Sequence, residues 1–284
     1  MGFRLLPLIL LTITQINTTE LGAAEANYEE ALVPAYTLPD PLVDSAGNRV
    51  TSANAWRSKR RPEIQRLFET EVYGISPRQL PSMTFEAVAS PASPPVAKGI
   101  RRKQIVIHLK RNGKAVDLNL LIYLPQSNAA VPAFLGLNFK GNHTISKDPA
   151  VRVPHVWELA NNEARYVESP ERRGSKGSRW PIVYYGDIDP DYDDGFKNGV
   201  HALYADEERD AASWGSIGAW AWGLSRAMDY LASDDDIDAQ RVAVMGHSRL
   251  GKTALWAGAT DERFALIVSN NSGCGGAALR RRAF

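Results

Sequence analysis

The feature that most constrains the fold is a short segment near the end of the chain, residues 241–258, RVAVMGHSRLGKTALWAG. An apolar run leads into a turn that contains Gly246 and Ser248, and a helical pattern follows from Arg249. A strand that ends in Gly-x-Ser and runs directly into a helix holds the serine hydroxyl above the sheet edge, at the positive end of the helix dipole. This arrangement is typical of a nucleophilic serine.

The motif has an unusual spacing, so two interpretations of Ser248 stay open. The usual pattern is Gly-x-Ser-x-Gly, whereas here Leu250 occupies the second glycine position and the glycine follows at Gly251. Ser248 could simply cap the helix, a position where serine is common. The strand–turn–helix context favours a nucleophile, in which case the backbone N–H of Arg249 would donate to the oxyanion of a tetrahedral intermediate.

Strands and helices alternate along the second half of the chain. We predict strands at 131–137, 182–185, 242–245 and 264–268, and helices at 213–232 and 249–258. Earlier, residues 102–109 and 116–124 alternate apolar and polar positions around Asn112-Gly113, which predicts a β-hairpin. We also predict helices within 52–73 and 151–164. The pattern indicates an α/β fold: a mostly parallel sheet, helices on both faces, and antiparallel strands at one edge.

The first 26 residues are typical of an export signal. Arg4 supplies a positive start, an apolar run follows, and Ala24-Glu25-Ala26 fits a cleavage site, so the mature chain would begin at Asn27. The alternative is a membrane anchor, but the run is too short to span a bilayer. We therefore predict a secreted or periplasmic protein, without membrane association after cleavage.

Charge and cysteine content bound the possible partners. The chain has 33 basic and 32 acidic residues and a formal net charge of +1, which argues against a polyanionic partner such as nucleic acid. The single cysteine, Cys274, cannot form a disulfide within the chain. We expect it to be buried as a small apolar side chain.

A longer string is more specific than the turn alone. Residues 246–282, GHSRLGKTALWAGATDERFALIVSNNSGCGGAALRRR, resemble the bacterial branch of carbohydrate esterase family 15, the glucuronoyl esterases. The motif of that family is Gly-Cys-Ser-Arg-x-Gly-Lys, often with histidine in place of cysteine in bacterial members. The stretches LGLNFKGNHT, RGSKGSRWP and YYGDIDPDYDDGF are similar too, and the likeness covers nearly all of residues 28–284.

The resemblance implies a fold, an activity and three site residues. Residues 27–284 would form a partial α/β-hydrolase domain that cleaves esters between lignin alcohols and the glucuronic acid side chains of xylan, as a monomer without metal or organic cofactor. Ser248 would be the nucleophile, and Arg249 would stabilise the oxyanion. Lys252 would bind hydroxyls of the uronic acid. His247 stands where fungal members have a disulfide-forming cysteine, so that bridge is absent.

The base and acid of a catalytic triad are unassigned. In an α/β-hydrolase the acid and the histidine follow the serine in sequence, yet all five histidines precede Ser248. Asn271 stands where some family members carry a glutamate. We therefore expect the histidine beyond Phe284 and no activity from the chain as given.

Two other functions remain candidates, and one loop is a candidate for a second oxyanion donor. An esterase for another carbohydrate ester, such as acetylated xylan, is the first rival, and an inactive remnant that binds carbohydrate is the second. The remnant would use tryptophans at positions 180, 214, 220 and 222, although Trp220 lies on a predicted core stripe. The loop after strand 131–137 could supply a second oxyanion donor from Gly136, Asn138, Lys140 or Gly141, or it could be an ordinary strand-to-helix turn.

Overall fold

The computed structural model describes residues 28–89, 99–160, 163–168 and 181–278. The predicted export signal, residues 1–26, lies outside these residues, as does Trp180. The chain divides into two compact units. In the first, the described residues 28–38 contain one 3₁₀ turn, Glu30–Leu32. The second, Pro39–Leu279, contains every described strand.

The described residues form a seven-stranded sheet and a separate two-stranded hairpin. The strands are β1 Ser82–Ala87, β2 Ile100–Arg111, β3 Lys114–Pro125, β4 Val131–Asn138, β5 His155–Ala160, β6 Glu163–Glu168, β7 Ile182–Tyr184, β8 Ile237–His247 and β9 Leu266–Asn270. The order in the large sheet is β1-β2-β3-β7-β4-β8-β9, and β5 pairs with β6.

Helices connect the strands. They are α1 Ala53–Ala55, α2 Arg61–Phe68, α3 Tyr185–Ile188, α4 Ser216–Ser233 and α5 Arg249–Thr260. Two π-helical segments, Trp56–Arg60 and Glu69–Tyr73, make residues 53–73 one continuous helical stretch, as predicted for this region. Short 3₁₀ turns lie at Asn142–Ile145 and Gly199–Tyr204.

The sheet is antiparallel at one side and parallel at the other. Strands β1, β2, β3 and β7 pair antiparallel in turn, whereas β7, β4, β8 and β9 run parallel. The β2–β3 hairpin turns at Asn112 and Gly113, whose φ angles of 49° and 75° are both positive, as a type I′ turn requires. The predicted α/β class, the hairpin and the parallel strands are thus confirmed.

The hydrophobic core packs against the sheet and is covered by α4. The apolar stripe of this helix is almost fully buried, with Trp220 only 1% exposed. The indole N–H of Trp220 donates to the carbonyl of Asp189 at 2.8 Å. Trp214 and Trp222 are buried as well. Burial makes the ring faces of these three tryptophans inaccessible to a ligand. The prediction that they bind carbohydrate is therefore wrong.

Two local predictions are also wrong. Residues 151–164 contain no described helix; they form β5 and the start of β6, where Trp157 lies opposite Tyr166. Aromatic cross-strand pairs stabilise such a hairpin more than a weak helical periodicity does. Cys274 is exposed, not buried, because the loop after β9 turns between Gly273 and Gly275, both at positive φ.

Candidate active site

Ser248 lies in a strained turn between β8 and α5. Its backbone has φ 56° and ψ −128°, a region that L-amino acids rarely adopt. The backbone fixes this conformation: the N–H of Ser248 donates to the carbonyl of Asn270 at 2.9 Å, and its own carbonyl accepts from the N–H of Gly251 at 2.8 Å. The hydroxyl makes no capping bond to α5. Ser248 thus begins α5 through its carbonyl, but its side chain does not cap the helix.

Two glycines make this turn possible. A Cβ at Gly246 would lie 1.9 Å from the carbonyl oxygen of Leu250, which no side chain could tolerate. A Cβ at Gly251 would lie 2.9 Å from the carbonyl oxygen of Asn270. The side chain of Leu250 is buried in the core. The second glycine is thus needed one residue later than usual, where α5 crosses the end of β9.

Arg249 is held beside Ser248 by residues from two other loops. Its Nη2 lies 2.5 Å from Oδ2 of Asp191, and its guanidinium carbon lies 4.9 Å from the centre of the Phe139 ring. Tyr185 packs edge-on against Phe139, with 5.4 Å between ring centres, and its hydroxyl lies 3.5 Å from Oδ2 of Asp191. Burial raises the pKa of Tyr185 to about 12, so the phenol stays protonated at neutral pH. A fixed cation therefore lies next to the serine.

Sequence reasoning missed the three residues that hold Arg249. Asp191 and Tyr185 belong to the acidic segment 184–196, and Phe139 follows β4. The only sequence signal was the density of aspartates in that segment, which does not reveal which one meets the arginine.

Lys252 lies one helical turn after Ser248, on the same side of α5. Its side chain is partly exposed and runs beside the loop after β9, where its Cε would lie 3.9 Å from a Cβ at Gly275. Within the described part of the chain, its ammonium group makes no salt bridge. It can therefore donate to the hydroxyls of a ligand above Ser248.

Several donors of the loop after β4 are used within the protein, which favours the interpretation of this loop as an ordinary strand-to-helix turn. Oδ1 of Asn138 accepts from the N–H groups of Lys140 and Gly141, at 3.2 Å and 2.7 Å. The side-chain amide of Asn138 donates to Asn142 and to the carbonyl of Val183. The N–H of Gly136 donates to the carbonyl of Pro181. These donors shape the turn and are already engaged.

No histidine of the described residues bonds to the Ser248 hydroxyl. Nδ1 of His247 lies 3.0 Å from the amide nitrogen of Asn270, on the β9 side. The remaining histidines lie at His108 on the antiparallel edge, His143 buried after β4, His155 against Tyr166, and His201 buried against Trp214. Burial lowers the pKa of His201 to about 3, so that imidazole is neutral.

The position at which some family members carry a triad glutamate is occupied here by an uncharged residue, Asn271. Asn271 follows β9 directly, is exposed and has φ 46°. Asparagine tolerates this left-handed conformation better than most residues. Its amide can hydrogen-bond an imidazole but cannot balance the charge of an imidazolium. Among the described residues, no group of three histidine, cysteine or acidic side chains is arranged to hold a metal ion.

A mixed sheet of this order, parallel from β7 to β9, with a strained serine between strand and helix is the arrangement of an α/β-hydrolase. Two solved structures share it. One is described as a promiscuous CE15 esterase from a marine bacterial metagenome, with 45% identity and a TM-score of 0.76 over 90% of this chain and 68% of that one. The other is a glucuronoyl esterase from Solibacter usitatus, with 42% identity and a TM-score of 0.79 over 89% of this chain and 68% of that one. The chain belongs to carbohydrate esterase family 15.

Curated relatives and a family model agree with this assignment. A carbohydrate esterase from an unknown prokaryotic organism is 47% identical over 91% of this chain and 63% of its own length. A 4-O-methyl-glucuronoyl methylesterase from Thermothelomyces thermophilus is 28% identical over 86% of this chain and 51% of its own length. The model for fungal glucuronyl esterases matches residues 196–283. The chain thus spans between half and two thirds of the length of these relatives.

Proposed function

We propose that the complete protein is a serine esterase that hydrolyses glucuronoyl esters, the linkage between lignin alcohols and glucuronic acid side chains of xylan. The observation that carries this is the pairing of a strained Ser248 with the fixed cation of Arg249. Both stand at the positions of the family motif. The relatives named as glucuronoyl esterases support the substrate class.

The reaction would proceed in two acyl-transfer steps. The Ser248 oxygen attacks the ester carbonyl, its proton passes to a base, and a tetrahedral oxyanion forms. The backbone N–H of Arg249, its guanidinium and the N-terminus of α5 all place positive charge at this oxygen. The alcohol leaves with a proton, and the uronoyl group stays on Ser248. Water then adds to this acyl-enzyme and releases the uronate and the free serine.

Lys252 would orient the sugar during both steps. Its ammonium group donates hydrogen bonds to hydroxyls of the uronic acid while the ester carbonyl lies over Ser248. A charged donor suits this task because hydrogen bonds to charged groups are stronger than neutral ones. An acetyl esterase has no uronic acid to orient and would not need this lysine.

We assign the base and the acid to the part of the longer relatives that this chain does not match. In support, all five histidines are described, and none of them hydrogen-bonds the Ser248 hydroxyl. Residues 1–284 alone should therefore show no turnover. Hydrolysis by a purified 1–284 protein that Ser248→Ala abolishes would contradict this assignment.

The activity is tested with the complete gene product and the benzyl ester of glucuronic acid. Wild-type protein should release benzyl alcohol, and Ser248→Ala should lower kcat to background while its melting temperature changes little. Thr253→Ser, one turn further along α5, is the control for a mild change in the same helix. Equal turnover by wild type and Ser248→Ala would refute the proposal.

The location and assembly proposed here follow from the same family and from the N-terminal segment. We place the protein outside the cytoplasm, in the periplasm or the medium, as a monomer. No helix among the described residues is long and apolar enough to cross a bilayer. Fractionation of cells that express the complete gene, together with light scattering of the product, checks both statements.

A further inference from the structure

A cavity of about 660 Å³ lies over the antiparallel side of the sheet. Its floor is formed by β2 and β3, and its walls by α3 and the β5–β6 hairpin. Cavities of this size accommodate small ligands or one to a few sugar residues. None of the residues assigned to ester cleavage lines it.

A buried carboxyl group at the cavity wall has an unused oxygen. Asp187 is 6% exposed, and its Oδ2 accepts from both the backbone N–H and the side-chain amide of Asn119, at 3.0 Å each. Its Oδ1 has no hydrogen-bond partner within the described residues. Leaving a buried polar atom unpaired costs about 1–3 kcal/mol. A ligand hydroxyl in the cavity would remove this cost.

Two aromatic side chains form the opposite wall. Trp157 and Tyr166 are directly opposed on β5 and β6, with 5.2 Å between ring centres, and both line the cavity. Tyr166 is 53% exposed, which is unusual for a tyrosine that contacts another aromatic ring. Aromatic faces opposite a few polar groups match a ligand with one apolar and one hydroxylated side. A sugar ring has both.

The charge in the cavity favours a neutral ligand. Burial raises the pKa of Asp187 to about 7, so this carboxyl group is largely protonated in mildly acidic solution. Arg152 also lines the cavity and adds a positive charge. Glu86 and Asp117, which both hydrogen-bond His108, line it with negative charge. A carboxyl group that both donates and accepts suits hydroxyl groups better than it suits a cation.

One loop connects the cavity to the catalytic turn. Asp191 pairs with Arg249, and the adjacent Tyr192 packs against Trp157 with 5.9 Å between ring centres. A polysaccharide that lies across this loop would therefore contact both sites.

We propose that this cavity binds a neutral sugar residue of the xylan main chain, with Asp187 bonding to its hydroxyls and Trp157 and Tyr166 contacting its ring. The choice of xylan rests on the function proposed above, whereas the choice of a neutral sugar rests on the cavity itself.

The test is direct binding of xylotetraose, which carries neither uronic acid nor ester, to the complete gene product with Ser248→Ala. Isothermal titration should give a measurable Kd, and adding Trp157→Ala or Asp187→Ala should raise it at least about tenfold. Asp187→Asn keeps an acceptor for Asn119 and an N–H donor in place of the carboxyl O–H, so it should leave Kd nearly unchanged. Phe68→Ala, an exposed aromatic on α2 outside the cavity, is the matched control and should leave Kd unchanged.

Three outcomes would overturn the proposal. They are an absence of xylotetraose binding, binding that Trp157→Ala and Asp187→Ala leave intact, and equal weakening by the Phe68→Ala control. If Trp157→Ala loses its native melting transition, Tyr166→Leu is used in its place, with the same expectation. Because xylotetraose has no ester, failure here is distinct from failure of Ser248→Ala to abolish ester cleavage.

Discussion

The backbone strain at Ser248 predicts that a glycine there stabilises the protein. We compare Ser248→Gly with Ser248→Ala, since both lack the hydroxyl and differ only in the Cβ. At φ 56° and ψ −128°, a residue with a Cβ stores about 1–3 kcal/mol of strain that glycine avoids. Glycine loses about 0.5–1 kcal/mol more conformational entropy on folding than alanine does. The free energy of unfolding of Ser248→Gly should therefore exceed that of Ser248→Ala by about 1 kcal/mol.

The assay is thermal unfolding followed by circular dichroism. For a domain of this size, 1 kcal/mol corresponds to about 2–4 °C in melting temperature, with the glycine variant the higher. Both variants should lack esterase activity. The hydrogen bond from the N–H of residue 248 to Asn270 survives in both, so the difference reports the strain alone.

The same substitution inside α5 provides the control. Ala259 is exposed and helical, so Ala259→Gly should lower the free energy of unfolding by about 0.5–1 kcal/mol. Alanine-to-glycine changes at 248 and 259 should thus have opposite signs. If Ser248→Gly melts at or below Ser248→Ala while Ala259→Gly behaves as expected, the turn is not strained as described and the reasoning fails.

Three further predictions concern the side chains around the turn. Asp191→Asn removes the partly exposed ion pair of Arg249, which is worth about 0.2–1 kcal/mol. We therefore expect kcat to fall up to about fivefold with KM little changed. Asp193→Asn in the same loop is the control and should leave both constants unchanged. Lys252→Ala should lower kcat/KM at least about tenfold for a uronate ester and far less for an acetate ester, because it removes a charged hydrogen bond. Equal losses for the two esters would contradict the assignment of a uronate substrate. For Asp187, burial raises the folded-state pKa from 3.8 to about 7, so the folded protein binds the extra proton and its stability falls as pH rises from about 4 to 7. Asp187→Asn removes this dependence, so its melting temperature should gain on wild type across that range, and a constant gap would contradict the assigned cause.

Most of the sheet was predictable because its signals are local. The alternation of apolar and polar residues around Asn112-Gly113 predicted a hairpin, and both turn residues have positive φ. The apolar runs that form β4 and β8 predicted buried parallel strands. The turn that holds Ser248 was predictable for the same reason, since strand, turn and helix are adjacent in sequence. The local sequence pattern was insufficient to predict the structure of residues 155–168. There the pairing of Trp157 with Tyr166 favours a β-hairpin over a helix.

The surroundings of the serine were not predictable, because they depend on long-range contacts. Arg249 and Asp191 are brought together only when β7 and β8 take their places on either side of β4. The loop after β4 shows the opposite case. Its N–H groups were expected to face a substrate, but the side chain of Asn138 accepts two of them from within the turn. Sequence can identify donors, whereas only the folded loop shows whether they are already used.

The shifted glycine is the point where these two kinds of information meet. From sequence, Leu250 in place of the usual glycine argued against a nucleophile. In the structure, the carbonyl of Asn270 fixes the strained Ser248 through its N–H and also lies 2.9 Å from where a Cβ on Gly251 would be. Any side chain at 251 would push on the carbonyl that holds the serine in its conformation. Leu250, one residue earlier, points into the core and can carry a large side chain. The glycine is therefore required by contact with β9, and a motif that moves it by one residue still builds a strained serine turn between strand and helix.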